Sequence, residues 1–211
     1  TSGRGSPAVY STAAITGNDV ALKSNVAQVV VMEGGNSVTL NDSTLTANHT
    51  TLNGQDTTHQ AVLIYQSQSG DASNGSSSFT MKGGSLTNTQ GDIFHVTNTN
   101  TTITLSESIA ITNNDTSGCF LRASADSWGT SGSNGGKVTL NADGQTIDGD
   151  MIIDSISSLS LNMSNSSNFN GAINTSGQSG TVSVVIDSSS AWTLTGNSYV
   201  TSLTNNGTIN Q

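Results

Sequence analysis

Apolar residues recur along this chain in short runs of period two and not in the i, i+3, i+4 spacing of an amphipathic helix, so the pattern predicts strands. Three kinds of segment return in a fixed order. The first kind is apolar and β-branched, at 28–32, 61–65, 92–96, 119–122 and 151–153. The second alternates Ser or Thr with an apolar residue, at 37–40, 78–81, 102–105, 137–140 and, less regularly, 158–161. One of its faces is therefore buried and the other wet. The third places Ser or Thr before Leu or Ile, at 43–46, 84–87, 107–110 and 144–147.

From Val62 to Ile93, Phe120 and Ile152 the step is about 30 residues, which is what three strands at ~3.3 Å per residue plus their turns require. Later the step shortens to about 22, through Ile147, Phe169 and Trp192 and through Leu140, Leu161 and Val184. These repeats predict an all-β chain, a right-handed parallel β-helix (β-solenoid) of about six to seven three-strand coils running as one unit from 1 to 211. A β-sandwich is the main rival, and the ordered recurrence of three segment types favours the solenoid. Asn41, Asn98, Asn113, Asn114, Asn141 and Asn162 recur at expected corners, where amides can stack and satisfy turn backbones.

Composition agrees with a thin, continuous core. Hydrophobic residues make up 32% of the chain and charged residues 9%, with one proline, which is too little charge and proline for ordinary disorder. A formal charge of -9 with five Lys and Arg excludes the clustered cations that nucleic acid or an anionic membrane surface would need. No apolar run approaches the ~20 residues of a membrane span. Without a signal peptide the chain is expected to be a processed or excised piece of a larger surface protein, with residues 1–6 as tag or cloning residue. The lone Cys119 has apolar neighbours and is expected to be a buried structural thiol.

The stretch Ser190-Ala191-Trp192-Thr193-Leu194-Thr195-Gly196-Asn197-Ser198-Tyr199-Val200-Thr201-Ser202-Leu203-Thr204-Asn205-Asn206-Gly207-Thr208-Ile209 resembles right-handed β-helix surface proteins, the autotransporter passengers and adhesin-like proteins. In that pattern Trp packs inside the helix, a Gly-Asn-Ser turn follows, and Leu and Ile start the next coil. The likeness is confined to about twenty residues; the other coils match in style. It implies a secreted or cell-surface shaft with roles in adhesion or aggregation, and it carries no particular ligand. No anchor segment or capping helix is recognisable, so the type of cell envelope stays open.

Two longer insertions, 66–77 and 123–136, interrupt the repeat at the same corner and are expected to project from one side. Asp71, Asp126 and Trp128 are the residues there with binding chemistry: Trp stacks on sugar rings, and carboxylates take hydroxyls or calcium. Carbohydrate or another cell surface is the expected partner, with self-association through open coil ends as a further outcome. Asp148 and Asp150, near Asp143 and Asp154, form the densest acidic cluster and are expected on one strand face as weak calcium candidates; no other cofactor is called for. That pair also keeps open an enzyme of pectate-lyase or glycoside-hydrolase type acting on acidic polysaccharide, with Arg122 and Lys137 as nearby cations. Ice binding is a third reading, from Thr44 with Thr46, Thr87 with Thr89 and Thr193 with Thr195, but Ile109-Ala110-Ile111 breaks the Thr pattern. His49, His59 and His95 lack zinc spacing, and strand alternation puts His95 in solvent. No serine stands out as a nucleophile, and no G-x-S-x-G elbow is present.

Overall fold

The computed structural model describes residues 1–67 and 69–211. Every regular element among them is a β-strand, every strand pairing is parallel, and no helix is long and apolar enough to cross a membrane. The first sheet takes six strands, Val9–Ser11, Val30–Glu33, Gln60–Tyr65, Asp92–Thr97, Leu121–Ala123 and Met151–Ile153. The second takes eight: Ile15–Asn18, Ser37–Asn41, Ser76–Lys82, Thr99–Ser106, Gly136–Asp143, Ser158–Ser164, Thr181–Ile186 and Ser202–Asn205. Two four-stranded sheets share the third position. Ala21–Ser24, Thr44–Ala47, Ser85–Asn88 and Ala110–Asn113 make one, and Thr146–Asp148, Asn168–Asn170, Ala191–Thr193 and Thr208–Asn210 make the other.

As far as Asn168–Asn170 the chain visits first, second and third positions in the same cyclic order; beyond it the strands alternate between the second and third positions, and only the isolated bridge from Met151 to Ile173 continues the first sheet. Parallel pairing keeps the register of the repeat, and identical positions therefore stack into columns. Ile15, Val38, Phe79, Ile103, Leu140, Leu161, Val184 and Leu203 form one such column in the second sheet. Ile147, Phe169, Trp192 and Ile209 form another. The 22-residue step expected for the last third is thus a real register. Phe79, Phe94 and Phe120 pack edge to face at 5.5 and 5.6 Å, and Trp192 lies over Phe169 at 5.6 Å while its Nε1–H donates to Gly171 O at 2.9 Å. Each fully buried aromatic contributes about 2–3 kcal/mol of apolar burial, so a narrow core accumulates stability one repeat at a time.

Three expectations need correcting. The third-position strand expected at 107–110 forms at Ala110–Asn113, because Glu107 and Ser108 are both left-handed (φ 61° and 51°) and bury Ile109 before the strand begins. Ala110–Asn113 does not pair with Thr146–Asp148, and the third face is two sheets instead of one. The Thr46, Thr87, Thr112 column ends there, separated from Thr193. Third, Asn41, Asn113, Asn141 and Asn162 lie on strands and not at corners; they still stack, with Asn41 donating to Asn18 Oδ1 at 2.7 Å, Asn88 to Asn113 Oδ1 at 3.2 Å and Asn162 to Asn141 Oδ1 at 2.9 Å.

Candidate functional site

The second sheet follows a buried-in, wet-out alternation, but Gln60–Tyr65 and Asp92–Thr97 of the first sheet are buried on both faces. Something must cover their outer side. Three connecting segments do: 48–59, and the two insertions, which lie back on earlier strands where the sequence had them projecting. Ala72 is buried and Gly34 makes room for its loop; a Cβ at Gly34 would sit 2.6 Å from Ala72 Cβ and Ser73 O, and its φ of +74° favours glycine. The second insertion drops Trp128 onto Tyr65, with ring centroids 4.6 Å apart. Gln68 of the first insertion falls outside the described residues.

Outward columns of the first sheet run beneath this cover. Tyr10, Val31, Leu63, His95, Arg122 and Ile152 make one, and Glu33, Tyr65 and Thr97 its neighbour. Tyr10, Tyr65 and Trp128 rim a cleft of about 150 Å³, floored by Val31 and Leu63 and walled by Gln28, Asn53, Gln55 and Asp56. Beneath the two tyrosines, Glu33 is 1% exposed. Its carboxylate accepts from the hydroxyls of Tyr10 and Ser67, from Tyr65 at 3.1 Å and from Ser69 at 3.3 Å. Burial alone would raise its pKa, and these four hydroxyls together outweigh that and hold the carboxyl below its ordinary value. The same burial, with Tyr10 and Glu33 adjacent, pushes the Tyr65 phenol far up, so it stays a donor.

Behind the cleft sit two histidine–carboxylate pairs. Gln60 N–H donates to His49 Nδ1 at 3.1 Å, which leaves the proton of neutral His49 on Nε2, 3.6 Å from Asp56 Oδ2. Burial, and then the neighbouring His59 at 5.1 Å, hold the His49 pKa down to about 4. His95 is 1% exposed, contrary to the solvent position that alternation gave it. The alternation was right about the core and wrong about water, because Thr58 and the 124–135 segment close over its ring. Its Nδ1 lies 3.2 Å from Thr58 Oγ1 and 3.8 Å from Asp126 Oδ2, and its Nε2 lies 3.4 Å from Ser124 Oγ. Burial lowers its pKa to about 4 against the pull of Asp126 and Asp92. Arg122 Nε donates to Asp92 Oδ2 at 2.6 Å, and Asp92 Oδ1 accepts from Cys119 N–H at 2.9 Å. Cys119 is a buried free thiol whose pKa is raised by burial and by Asp92, as a structural cysteine should be.

Of the residues singled out from sequence, Asp126 and Trp128 therefore converge on one face, and Asp71 lies at its edge, exposed in the first insertion with its N–H 3.4 Å from Ser69 Oγ. Asp148 and Asp150 stand apart from it and do not share a strand face. The strand ends at Asp148, Gly149 turns the chain at φ +112°, and each carboxylate has its own partner: Asn170 Nδ2 on Asp148 at 2.7 Å, Ala172 N–H on Asp150 at 2.8 Å. Among the described residues no three His, Cys, Asp or Glu side chains gather closely enough to hold a metal ion. Sequence reading missed Tyr10, Glu33, Tyr65 and Ser124, and it placed His95 in solvent. The signal was available in the repeat, since aligning the first-kind strands puts Glu33 beside Tyr65 and His95 beside Arg122. Comparison with protein-family models, with curated proteins and with solved structures finds no match for this chain.

Proposed function

We propose that the chain is a right-handed parallel β-helix of about six to seven three-strand coils, a secreted or cell-surface shaft whose first-sheet outer face binds carbohydrate in an adhesin-like role. The cyclic order of strands among parallel sheets supports the architecture. The observation that carries the binding reading is the aromatic cleft of Tyr10, Tyr65 and Trp128, with amide and carboxylate walls from Gln28, Asn53, Gln55 and Asp56. Aromatic faces cover the apolar side of a sugar ring, and fixed amides and carboxylates select its hydroxyls. The cleft has room for about one ring, which suits the end or a single unit of a glycan.

The test is a glycan array probed with the wild-type chain, Trp128→Ala and a variant with 124–135 shortened to a Gly-Ser turn, each with and without a calcium chelator. The proposal expects glycans bound by the wild type and lost in both variants while circular dichroism stays unchanged. Binding that survives both changes would remove the site from this face, and chelator sensitivity would bring calcium into it.

A further inference from the structure

His95 on Asp92–Thr97, Ser124 just after the neighbouring strand Leu121–Ala123, and Asp126 two residues further on in the second insertion meet so that a hydroxyl faces one nitrogen of the imidazole and a carboxylate the other. Ser124 directly follows Leu121–Ala123, and its N–H continues the ladder to Val96 O at 3.2 Å, so alternation turns both Arg122 and Ser124 to the outer face. His95, on the adjacent strand, is the register partner of Arg122. The hydrogen-bond pattern selects one tautomer. Thr58 Oγ1–H is free to donate to Gln60 Oε1 at 3.3 Å, and it then accepts from His95 Nδ1–H at 3.2 Å. The Nε2 lone pair is left facing Ser124 Oγ at 3.4 Å. Asp126 has a 1% exposed side chain, and its Oδ2, without a hydrogen-bond partner among the described residues, is aimed at His95 Nδ1 from 3.8 Å. Its other oxygen is fixed by Ser127 N–H at 2.6 Å. A buried carboxylate oxygen without a partner is costly in the resting site, and a positive charge forming on the adjacent imidazole offsets that cost.

We infer that Ser124, His95 and Asp126 form an acyl-transfer site that hydrolyses carboxylic esters, with O-acylated saccharides as the substrate class. The chemistry stands independently of the adhesive reading; only the saccharide part of the substrate rests on it. Ser124 Oγ attacks the ester carbonyl carbon as His95 Nε2 takes the hydroxyl proton, and the carbonyl oxygen becomes an oxyanion. The imidazolium formed is balanced by Asp126. Collapse of the intermediate breaks the carbon–oxygen bond to the alcohol, which leaves with the proton from His95. Water then attacks the acyl-Ser124, gives its proton to His95, and the site returns with a free acid and Ser124–OH. Arg122 is the group for the oxyanion: Nε and Nη2 are committed to Asp92, Nη1 has no partner among the described residues, and the side chain is 24% exposed. The slack distances belong to a site without substrate, where such contacts tighten on binding.

The test uses the intact chain with a fluorophosphonate probe and with p-nitrophenyl acetate. The proposal expects one covalent adduct, mapped by mass spectrometry to Ser124, and nitrophenolate release that falls roughly 10²–10⁴-fold in Ser124→Ala and in His95→Gln. Asp126→Asn should keep the fold and lose the adduct, because a neutral amide cannot balance the imidazolium; this separates the catalytic role from a packing one. Adducts scattered over many serines, none at all, or equal hydrolysis by wild type and Ser124→Ala would overturn the proposal. Glycan binding by the same samples is scored separately: binding without an adduct sinks the acyl-transfer site alone, and an adduct without binding sinks the adhesive reading alone.

Discussion

Acid should loosen this protein through two histidines well before its carboxylates are titrated. His49 and His95 are held to pKa values of about 4 in the folded chain, against an ordinary value of 6.5. A histidine whose folded pKa is depressed binds its proton more readily when unfolded, so its contribution is complete above pH 6.5 and is withdrawn as pH falls towards 4. Between pH 7 and pH 5 the unfolded state becomes almost fully protonated at both sites and the folded state hardly at all, which costs about 2 kcal/mol for each histidine. The groups facing them modify this modestly. Asp126 and Asp92 favour a charged His95, Arg122 opposes it, and His59 opposes charge on His49. Asp56, with a burial-raised pKa, gains a proton early in the folded state and works slightly the other way, whereas Glu33, held low, matters only below its unfolded value of 4.5. A combined loss of about 4 kcal/mol is a large share of a typical 5–15 kcal/mol. Urea unfolding at pH 7, 6 and 5 should show the midpoint dropping by about 1–2 M, and the double variant His49→Gln/His95→Gln should be nearly flat. A wild-type midpoint constant over that range, or an equal slope in the double variant, would refute the assignment of buried neutral imidazoles.

Three further outcomes follow from the packing. Phe94→Ala empties the middle of the Phe79, Phe94, Phe120 stack and should cost about 3–5 kcal/mol, read by denaturant unfolding. Glu33→Ala strips the acceptor from four hydroxyls beneath the cleft and should raise protease cleavage within the first insertion, while Glu33→Gln keeps much of the network and should cleave more slowly. Gly91→Ala places a Cβ 1.9 Å from His59 O at a φ of +76°, so it should lower the melting temperature by more than Phe94→Ala does, or prevent folding.

The repeat was legible because stacked positions demand the same residue type, but in the first sheet its register was read one residue off: Val62 was aligned with Ile93, Phe120 and Ile152, and the structure stacks it with Phe94, Leu121 and Met151, because adjacent residues in each of these runs are apolar and period two alone does not choose between them. Glu107 and Ser108 defeated that reading because nothing in their side chains announces two successive left-handed residues. The site was half legible. Trp128 and Asp126 stood out as unusual residues in an insertion, and the structure brings them to one face. His95 was misjudged because alternation distinguishes core from outside and says nothing of a loop that returns to cover the outside. Tyr10 and Glu33 carried no local signal at all; their importance comes from register with Tyr65, which lies 32 residues beyond Glu33.

The most direct test of the proposed binding face uses the chain's own fluorescence. Of its two tryptophans, Trp192 is 2% exposed within the core and Trp128 is half-buried at the cleft. In a Trp192→Phe variant, titration with a glycan taken from the array should give a saturable change in Trp128 emission and protect it from acrylamide quenching, and Tyr65→Ala should weaken binding roughly 30-fold, as loss of an aromatic anchor worth about 2 kcal/mol does. A glycan that binds by calorimetry while Trp128 emission and quenching stay unchanged would contradict the account.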